Sequence, residues 1–402
     1  MNSIYKAYCR TYQFVMRAAA CCLPWRKPEL IEGKDSLKRL PAVIKEKGIP
    51  SVLIVTDKGL MSLGMLDPLF DGLKQEGVEY RLYDKTVPNP TIDNIEEGVQ
   101  LYKEGNCAAI IAFGGGSPMD CAKGIGARIA RPGKPIAKMK GVLKVLRRLP
   151  PIFAVPTTAG TGSEATLAAV ITNSATHEKY PINDVVLIPK YAVLDPMLTV
   201  KLPKHITSTT GVDALTHAVE AYIGHSTTKE TRAMSLKATE LIFANLKKAY
   251  DDGGDLEARQ NMQYAAFYAG VAFTRSYVGY VHAIAHTLGG FYNVPHGLAN
   301  AIILPYVLEY YGDSCAKQLA ELAAVAGVGT DEMNDSDRAK AFIAAIKELN
   351  ASMQIPAKVK GIKEEDIPLM VSRAFAEANP LYPVPKFMGK EEIAAMYRTI
   401  AE

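Results

Sequence analysis

Seven histidines occur in the 402-residue chain: His177, His205, His217, His225, His282, His286 and His296. The last three fall within fifteen residues of one another. His282 and His286 stand four apart in Val-His-Ala-Ile-Ala-His, a spacing that puts both imidazoles on one helical face. Asp213 and His217 repeat that spacing in Gly-Val-Asp-Ala-Leu-Thr-His-Ala, and His296 follows Pro295 where another helix is expected to start. Their neighbours are overwhelmingly apolar (Val212, Ala214, Leu215; Val281, Ala283, Ile284), so these polar groups need partners once buried. A divalent cation is such a partner. Three neutral imidazoles and one carboxylate around it leave about one net positive charge, which suits Lewis-acid work on an alcohol oxygen. These donors admit zinc, iron(II), cobalt or nickel.

A second constellation has the chemistry of an anion site. Gly114-Gly115-Gly116-Ser117-Pro118-Met119-Asp120 directly follows the apolar run 108–113. Glycines allow close backbone approach to a phosphate, and free amides at a helix start favour an anion. The spacing lets Ser117 cap the helix, puts Pro118 at its first position and sets Asp120 at capping-box distance. This is not the Gly-x-Gly-x-x-Gly fingerprint of an ordinary dinucleotide fold. The loop Pro156-Thr157-Thr158-Ala159-Gly160-Thr161-Gly162-Ser163-Glu164 offers further hydroxyls and amides for ribose or phosphate. Asp57 ends an expected strand, where a carboxylate can bind an adenosine ribose and repel a 2′-phosphate, favouring NAD over NADP. Capping of the next helix is an equal alternative for Asp57.

The elements that must carry these groups follow from periodicity. Strands are expected at 51–56, 79–83, 108–113, 152–155 and 184–188, alternating with helices at 36–47, 92–104 and 117–128, the rhythm of a parallel sheet. After Asp195-Pro196 helical patterns take over, at 212–222, 231–251, 259–273 and 336–348. The expected organisation is an extension over 1–28, an α/β NAD-binding domain over 29–197 and an α-helical metal-binding and catalytic domain over 198–402. A cleft between domains is the expected place for the active site.

Composition excludes several classes. With 46 basic and 42 acidic residues interspersed, the chain has no basic run suited to nucleic acid. Six cysteines without a Cys-x-x-Cys spacing fit reduced thiols in a cytoplasm. No apolar run is long enough for stable membrane insertion. In the extension, Tyr5, Tyr8, Cys9, Tyr12, Val15, Met16, Ala19 and Leu23 recur at helical spacing while Lys6, Arg10, Gln13 and Arg17 fall largely off that stripe. An amphipathic helix ending near Pro24 is expected, docked on the protein's own body or on a second subunit in preference to a membrane surface.

Long motifs now identify a resemblance. Gly-Gly-Gly-Ser-x-x-Asp-x-Ala-Lys at 114–123, Pro-Thr-Thr-Ala-Gly-Thr-Gly-Ser-Glu at 156–164, Gly-Val-Asp-Ala-Leu-Thr-His-Ala at 211–218, His282-x-x-x-His286 and Pro-His-Gly-Leu-Ala-Asn at 295–300 stand in the order found in the iron-containing (group III) alcohol dehydrogenases. The chain resembles that family from about residue 29 to its end. The resemblance implies a Rossmann-like parallel sheet lacking Gly-x-Gly-x-x-Gly, then an all-helical domain, in a dehydroquinate synthase-like architecture. It also implies metal ligands Asp213, His217, His282 and His296, with iron(II) favoured and zinc possible, and places His286 beside nicotinamide and substrate. NAD contacts carry over to Asp57, Asn89, Gly114, Gly115, Gly116, Ser117, Asp120, Thr157, Thr158 and Lys179. A dimer is the expected assembly.

The expected activity is hydride transfer between a primary alcohol and NAD, or reduction of the aldehyde, with His286 relaying the proton. In the diol-oxidising branch of the family the position of Ala168 carries a polar amide, whereas Phe273 matches an aromatic that lines family pockets. A less polar substrate is therefore expected. The competing readings are a sugar-phosphate cyclase, a glycerol dehydrogenase-like enzyme, and a non-catalytic metal-binding assembly protein. Arg275 is the one charge near His282 and Phe273 in sequence, too little for a phosphate substrate.

Overall fold

The structure is a computed structural model that describes residues 1–174 and 178–402, so His177 lies outside the described residues. The chain forms two compact units, one of Pro24–Lys201 and one of Met1–Leu23 with Leu202–Glu402.

Among its described residues the first unit has nine strands: β1 (Glu29–Glu32), β2 (Ser51–Val55), β3 (Glu79–Tyr83), β4 (Ala109–Gly114), β5 (Gly141–Val142), β6 (Ile152–Pro156), β7 (Ala168–Thr172), β8 (Lys179–Asn183) and β9 (Tyr191–Leu194). Six of them pair in the order β1-β9-β6-β4-β2-β3, every neighbour parallel. β2, β4 and β6 are buried along their whole length, as β-branched runs covered by helices on both faces must be. Alternation divides their side chains: Leu53, Val55, Ile110 and Ala112 face one core, Val52, Ile54, Ile111 and Phe113 the other. The chain order reverses at β2, with β3 on one side and β4 on the other. The crevice beyond the carboxyl ends of β2 and β4 is thus the topological switch point of this sheet, and there stand Asp57 and the glycine triplet.

Three expectations need correction. The apolar run after Asp184 is not a strand: Asp184 caps a 3-10 turn, Val185–Leu187, and its other carboxylate oxygen takes the amides of Val145 and Leu146 at 3.0 and 2.9 Å. Pro189 follows, and the strand of the main sheet forms beyond it as β9. β7 and β8, an antiparallel hairpin that joins β5 in a second sheet of three strands, has no counterpart in the expected elements. The helix after the glycines runs Gly116–Ala130 with Gly115 at its cap, so Ser117 and Asp120 do not form a capping box and Pro118 lies inside the first turn.

The second unit is helical. Its core helices are Lys204–Ile223, Lys229–Asp251, Leu256–Ser276, Tyr280–Tyr292 and His296–Tyr311, longer at most ends than apolar periodicity marks because polar turns and caps extend them. Lys204–Ile223 and Tyr280–Tyr292 are buried on nearly every side, which is why their sequences read as apolar throughout. A helix at Ser3–Ala20 belongs to this unit. None of the described helices is long and apolar enough to cross a membrane.

Candidate metal centre and nucleotide loops

On the helix Lys204–Ile223, Asp213, His217 and Glu220 follow at intervals of four and three, which lines them along one face. His282 comes from Tyr280–Tyr292, and His296 is the first residue of His296–Tyr311. Gly297 lets the start of that last helix approach closely: a Cβ there would lie 2.6 Å from the Thr209 carbonyl oxygen and 3.4 Å from Asp213 Cβ. The outcome is a cluster in which one ligand atom each from Asp213, His217, His282 and His296 lies within 4.8 Å of all the others. Asp213, His217 and His282 are buried, while the His296 side chain is 40% exposed.

The surroundings of this cluster fit a divalent cation. Asn300 Nδ2 donates to Asp213 Oδ1 at 2.7 Å and also faces His282 Nε2 at 3.2 Å and His296 Nε2 at 3.1 Å, one more partner than an amide with two hydrogens can serve. The amide's own Oδ1 is buried without a hydrogen-bond partner. Acceptors converging on one point are the electronic complement of a cation. Behind the cluster, His282 Nδ1 donates to Glu220 Oε2 at 2.6 Å, which leaves Nε2 as the lone-pair nitrogen directed at the centre. Burial and the neighbouring imidazoles hold His282 well below the usual histidine range, in the neutral form a ligand needs. Glu220 Oε1 accepts the Val281 amide at 2.9 Å, and a Cβ at Gly279 would stand 2.7 Å from that oxygen. In the metal-free protein burial pushes the Glu220 carboxyl up to about 8; a divalent ion at the cluster would favour its ionised form, which with Asp213 would balance a charge of two.

Phe273 stacks on the His217 ring, centroids 4.1 Å apart and planes 14° apart. His286 stacks on His296 at 5.2 Å, and its Nδ1 donates to Glu377 Oε1 at 2.6 Å. Tyr382 donates its hydroxyl to the same oxygen at 2.9 Å. Glu220, Asn300 and Glu377 were not singled out by sequence reasoning. The first two were within its reach, since Glu220 extends the Asp213/His217 face by one turn and Asn300 lies four residues after His296. Glu377 belongs to Ile367–Ala378, far along the chain, and no local spacing points to it. His205 and His225 are exposed and stand outside the cluster.

In the α/β unit the expected nucleotide residues come together in groups. The Thr157 amide donates to the Gly114 carbonyl at 3.1 Å, which ties the two loops side by side. A Cβ on Gly115 would lie 3.6 Å from Thr158 Oγ1, and one on Gly116 3.4 Å from Thr161 Cγ2. Gly114 has φ +147°, outside the range of ordinary side chains. The Asn89 amide faces Ser117 Oγ at 3.4 Å, and Lys179 Nζ donates to Asn89 Oδ1 at 2.6 Å, so these three stand in contact. Asp57 caps the short helix Lys58–Ser62 by accepting the Leu60 amide at 3.0 Å with one oxygen. Asp120 has turned inward: its oxygens accept Ser163 Oγ at 3.2 Å and the Val170 amide at 3.1 Å, and burial raises its carboxyl above the usual range. Ala168 offers its carbonyl to Lys123 Nζ at 2.8 Å.

Comparison with known proteins fits this geometry. Residues 28–196 match the model for the iron-containing alcohol dehydrogenase family and residues 207–401 the model for its C-terminal region. A 1,3-propanediol dehydrogenase of Citrobacter freundii is 39% identical over 370 residues, covering 91% of this chain and 95% of its own. An NAD-dependent methanol dehydrogenase of Bacillus methanolicus is 37% identical over 352 residues, 87% of this chain and 92% of that one. The solved structure of a sulfoacetaldehyde reductase from Bifidobacterium kashiwanohense in complex with NAD+ superposes with a TM-score of 0.84 at 27% identity, covering 94% of this chain and 98% of the other.

Proposed function

The chain belongs to the iron-containing alcohol dehydrogenase family, and from that premise we propose that it moves a hydride between NAD and a short, unbranched primary alcohol, or the corresponding aldehyde. The observation that carries this reading is the convergence of Asp213, His217, His282 and His296 to within 4.8 Å. A divalent ion held by those four residues, iron(II) before zinc, supplies Lewis-acid polarisation of the substrate oxygen. Asp213 and Glu220 neutralise such an ion inside apolar helices, and Glu220 keeps His282 in the ligating tautomer. NAD held at the glycine loop would supply the hydride acceptor for the oxidation, and His286 would take up the proton that the substrate hydroxyl gives off. Glu377 on His286 Nδ1 supports that role: it orients the ring so that Nε2 is the atom that takes the proton. The His286 and Glu377 side chains are 41% and 31% exposed, so the proton has an outlet to water.

The cofactor is assigned to the switch point of the sheet. Gly114, Gly115, Gly116, Ser117, Thr157 and Thr158 receive the phosphates, Asp57 the adenosine ribose, and Asn89 with Lys179 the polar edge of the loop, with NADP disfavoured by the Asp57 carboxylate. Asp120 acts through the loop it braces. Support for an apolar substrate comes from Phe273 beside His217 and from the methyl of Ala168. Arg275 is paired with Glu230 at 2.6 Å, which speaks against the phosphate substrate of a cyclase. Six free thiols support the cytoplasm as its compartment, and a homodimer is the proposed assembly.

A second reading, 3-carbon diols such as 1,3-propanediol, is favoured by the 39% identity to a 1,3-propanediol dehydrogenase. One assay tests both: kcat/KM with saturating NAD for ethanol, 1-propanol, 1-butanol, 1,2-propanediol, 1,3-propanediol and glycerol. Each buried methylene contributes about 0.8 kcal/mol, so the mono-alcohol series should climb by about fourfold per carbon. A diol ahead of its mono-alcohol by about tenfold or more rejects the apolar pocket and supports the second reading. No NADH from any alcohol, with metal bound, rejects the activity.

A further inference from the structure

The helix Ser3–Ala20 packs on its own unit with one face only. Cys9 and Gln13 are buried, and Gln13 Nε2 donates to the Pro380 and Tyr382 carbonyls at 2.9 and 2.8 Å. Arg10 lies over the Phe387 ring at 4.1 Å, and Tyr5 stacks on Phe375 at 6.0 Å. This packed face is rotated from the stripe the sequence suggests, because Gln13 goes inward while Tyr8 and Val15 turn out. On the opposite side Ile4, Phe14, Val15 and Tyr8 are 83%, 72%, 56% and 52% exposed. With exposed Ala7 and Ala18 they make an apolar stripe at helical spacing, crossed by exposed Thr11, whose hydroxyl donates to the Ala7 carbonyl at 3.0 Å. At 100° per residue, Lys6, Arg10 and Arg17 all border the same edge of it; Arg10 is turned to the body by the Phe387 ring and the Pro385 carbonyl, so exposed Lys6 and Arg17, the latter with one N–H on the His225 carbonyl at 3.1 Å, form the basic border open to a partner. The charge bias is local: Lys6, Arg10, Arg17, Arg26 and Lys27 precede Glu29, the first acidic residue, in a chain whose 46 basic and 42 acidic residues otherwise nearly balance.

We propose that this helix adsorbs the protein on an anionic lipid surface, its exposed stripe resting at the headgroup–acyl boundary and its basic edge on lipid phosphates. An outward apolar stripe with a one-sided basic border and no acid is the pattern of an interfacial helix. A second copy of the helix is a poorer occupant. Two such helices face to face would bring like charges together with no carboxylate between them, and four large side chains fall short of the roughly 800 Å² a side that stable interfaces bury. The adsorption is peripheral, with the catalytic unit left in water.

The test uses the full chain, sedimented with phosphatidylcholine vesicles that contain phosphatidylglycerol and with pure phosphatidylcholine vesicles, at low and high salt. Sedimentation with the anionic vesicles, reversed by salt, is expected. Ile4→Ser with Phe14→Ser should weaken it by more than about tenfold, and Arg17→Gln by about fivefold, with alcohol turnover unchanged in both. Failure to sediment with anionic vesicles overturns the proposal, as does binding that ignores these substitutions. If instead the doubly substituted protein has a lower mass by light scattering and the parent ignores vesicles, a second copy covers the stripe.

Discussion

Glu220 stands behind His282 as the group that fixes which imidazole nitrogen points inward, and its carboxyl, pushed up to about 8 by burial in the metal-free protein, would on ionising supply half of the charge that neutralises a divalent ion. Glu220→Gln keeps the shape and the Val281 hydrogen bond but removes the charge. Metal affinity, measured by competition with a chelator, should fall about 10- to 100-fold, whereas the melting curve of the metal-free protein should move little. An unchanged affinity would make Glu220 only a packing residue. Asp57 presents the opposite case, a residue whose capping bond and proposed ribose contact compete for one carboxylate. Asp57→Gly removes the charge that repels a 2′-phosphate while glycine still tolerates the cap position. The ratio of kcat/KM for NADPH over NADH should rise by about tenfold or more, and a constant ratio would leave Asp57 a cap alone. At this scale the cluster of Asp213, His217, His282 and His296 was legible, the first pair through helical spacing and all four through the family motifs. The groups behind them were not, since an acid or amide in an apolar helix gives no sign of its partner until a second helix is packed against it.

Among the elements, the buried parallel strands β2, β4 and β6 were legible from their apolar runs, whereas β1, β9 and the pair β7 with β8 were not. Burial alternates along both strands, but the outward positions of β7 include the apolar Ala168 and Val170 and β8 contains Pro181, so the residue types hide the alternation and the hairpin shows through its pairing. What holds the hairpin and the second nucleotide loop to the helix Gly116–Ala130 is Lys123, fully buried and bonded to Ser163 Oγ at 3.1 Å, Thr166 Oγ1 at 2.9 Å and the Ala168 carbonyl at 2.8 Å. Asp120, one turn earlier, takes Ser163 and Val170 from the same stretch. The pair of side chains thus clamps both loops to one helix end. Lys123→Met fills the volume, leaves three oxygens and the neighbouring Asp120 and Glu164 carboxyls without their cation, and should cost about 3 kcal/mol in denaturant unfolding. NAD affinity by fluorescence titration should fall with it while metal content stays at parent level, because the metal ligands lie in the other unit. Loss of metal with unimpaired NAD binding would contradict the clamp.

For the molecule as a whole, the division into a sheet unit and a helical unit lets one buried cluster be tested through global stability without touching the metal ligands. Glu164 is 2% exposed, and burial pushes its carboxyl up to about 7, while burial pulls the Lys123 amine down to about 8. Between an ordinary value of 4.5 and about 7, the folded chain keeps a Glu164 proton that the unfolded chain has released. Stability therefore falls as pH rises through that window, and the cost is complete above it. For Lys123 the unfolded chain holds the extra proton between about 8 and 10.5, so stability rises with pH there, and the cost is complete below about 8. Both costs coincide near neutrality, where a minimum in the contribution of this cluster results. Glu164→Gln removes the acid limb, since an amide matches the protonated carboxyl in shape and carries no charge at any pH. Variant and parent should unfold alike near pH 5, and the variant should be more stable near pH 7.5. A one-unit shift is worth about 1.4 kcal/mol, so the gain should lie between about 1 and 3 kcal/mol, the lower end applying if Lys123 suffers from losing its neighbour. Asp120, the larger of its two carboxylate partners, remains to hold Lys123 in that variant. The measurement is urea unfolding of parent and variant at the two pH values, with metal-free protein so that ligation does not intrude. A parent curve that is flat from pH 5 to 7.5, or a variant less stable than the parent at the higher pH, would mean that Glu164 is ionised and bound to Lys123 throughout, and that the cluster is a salt bridge and not a desolvated pair.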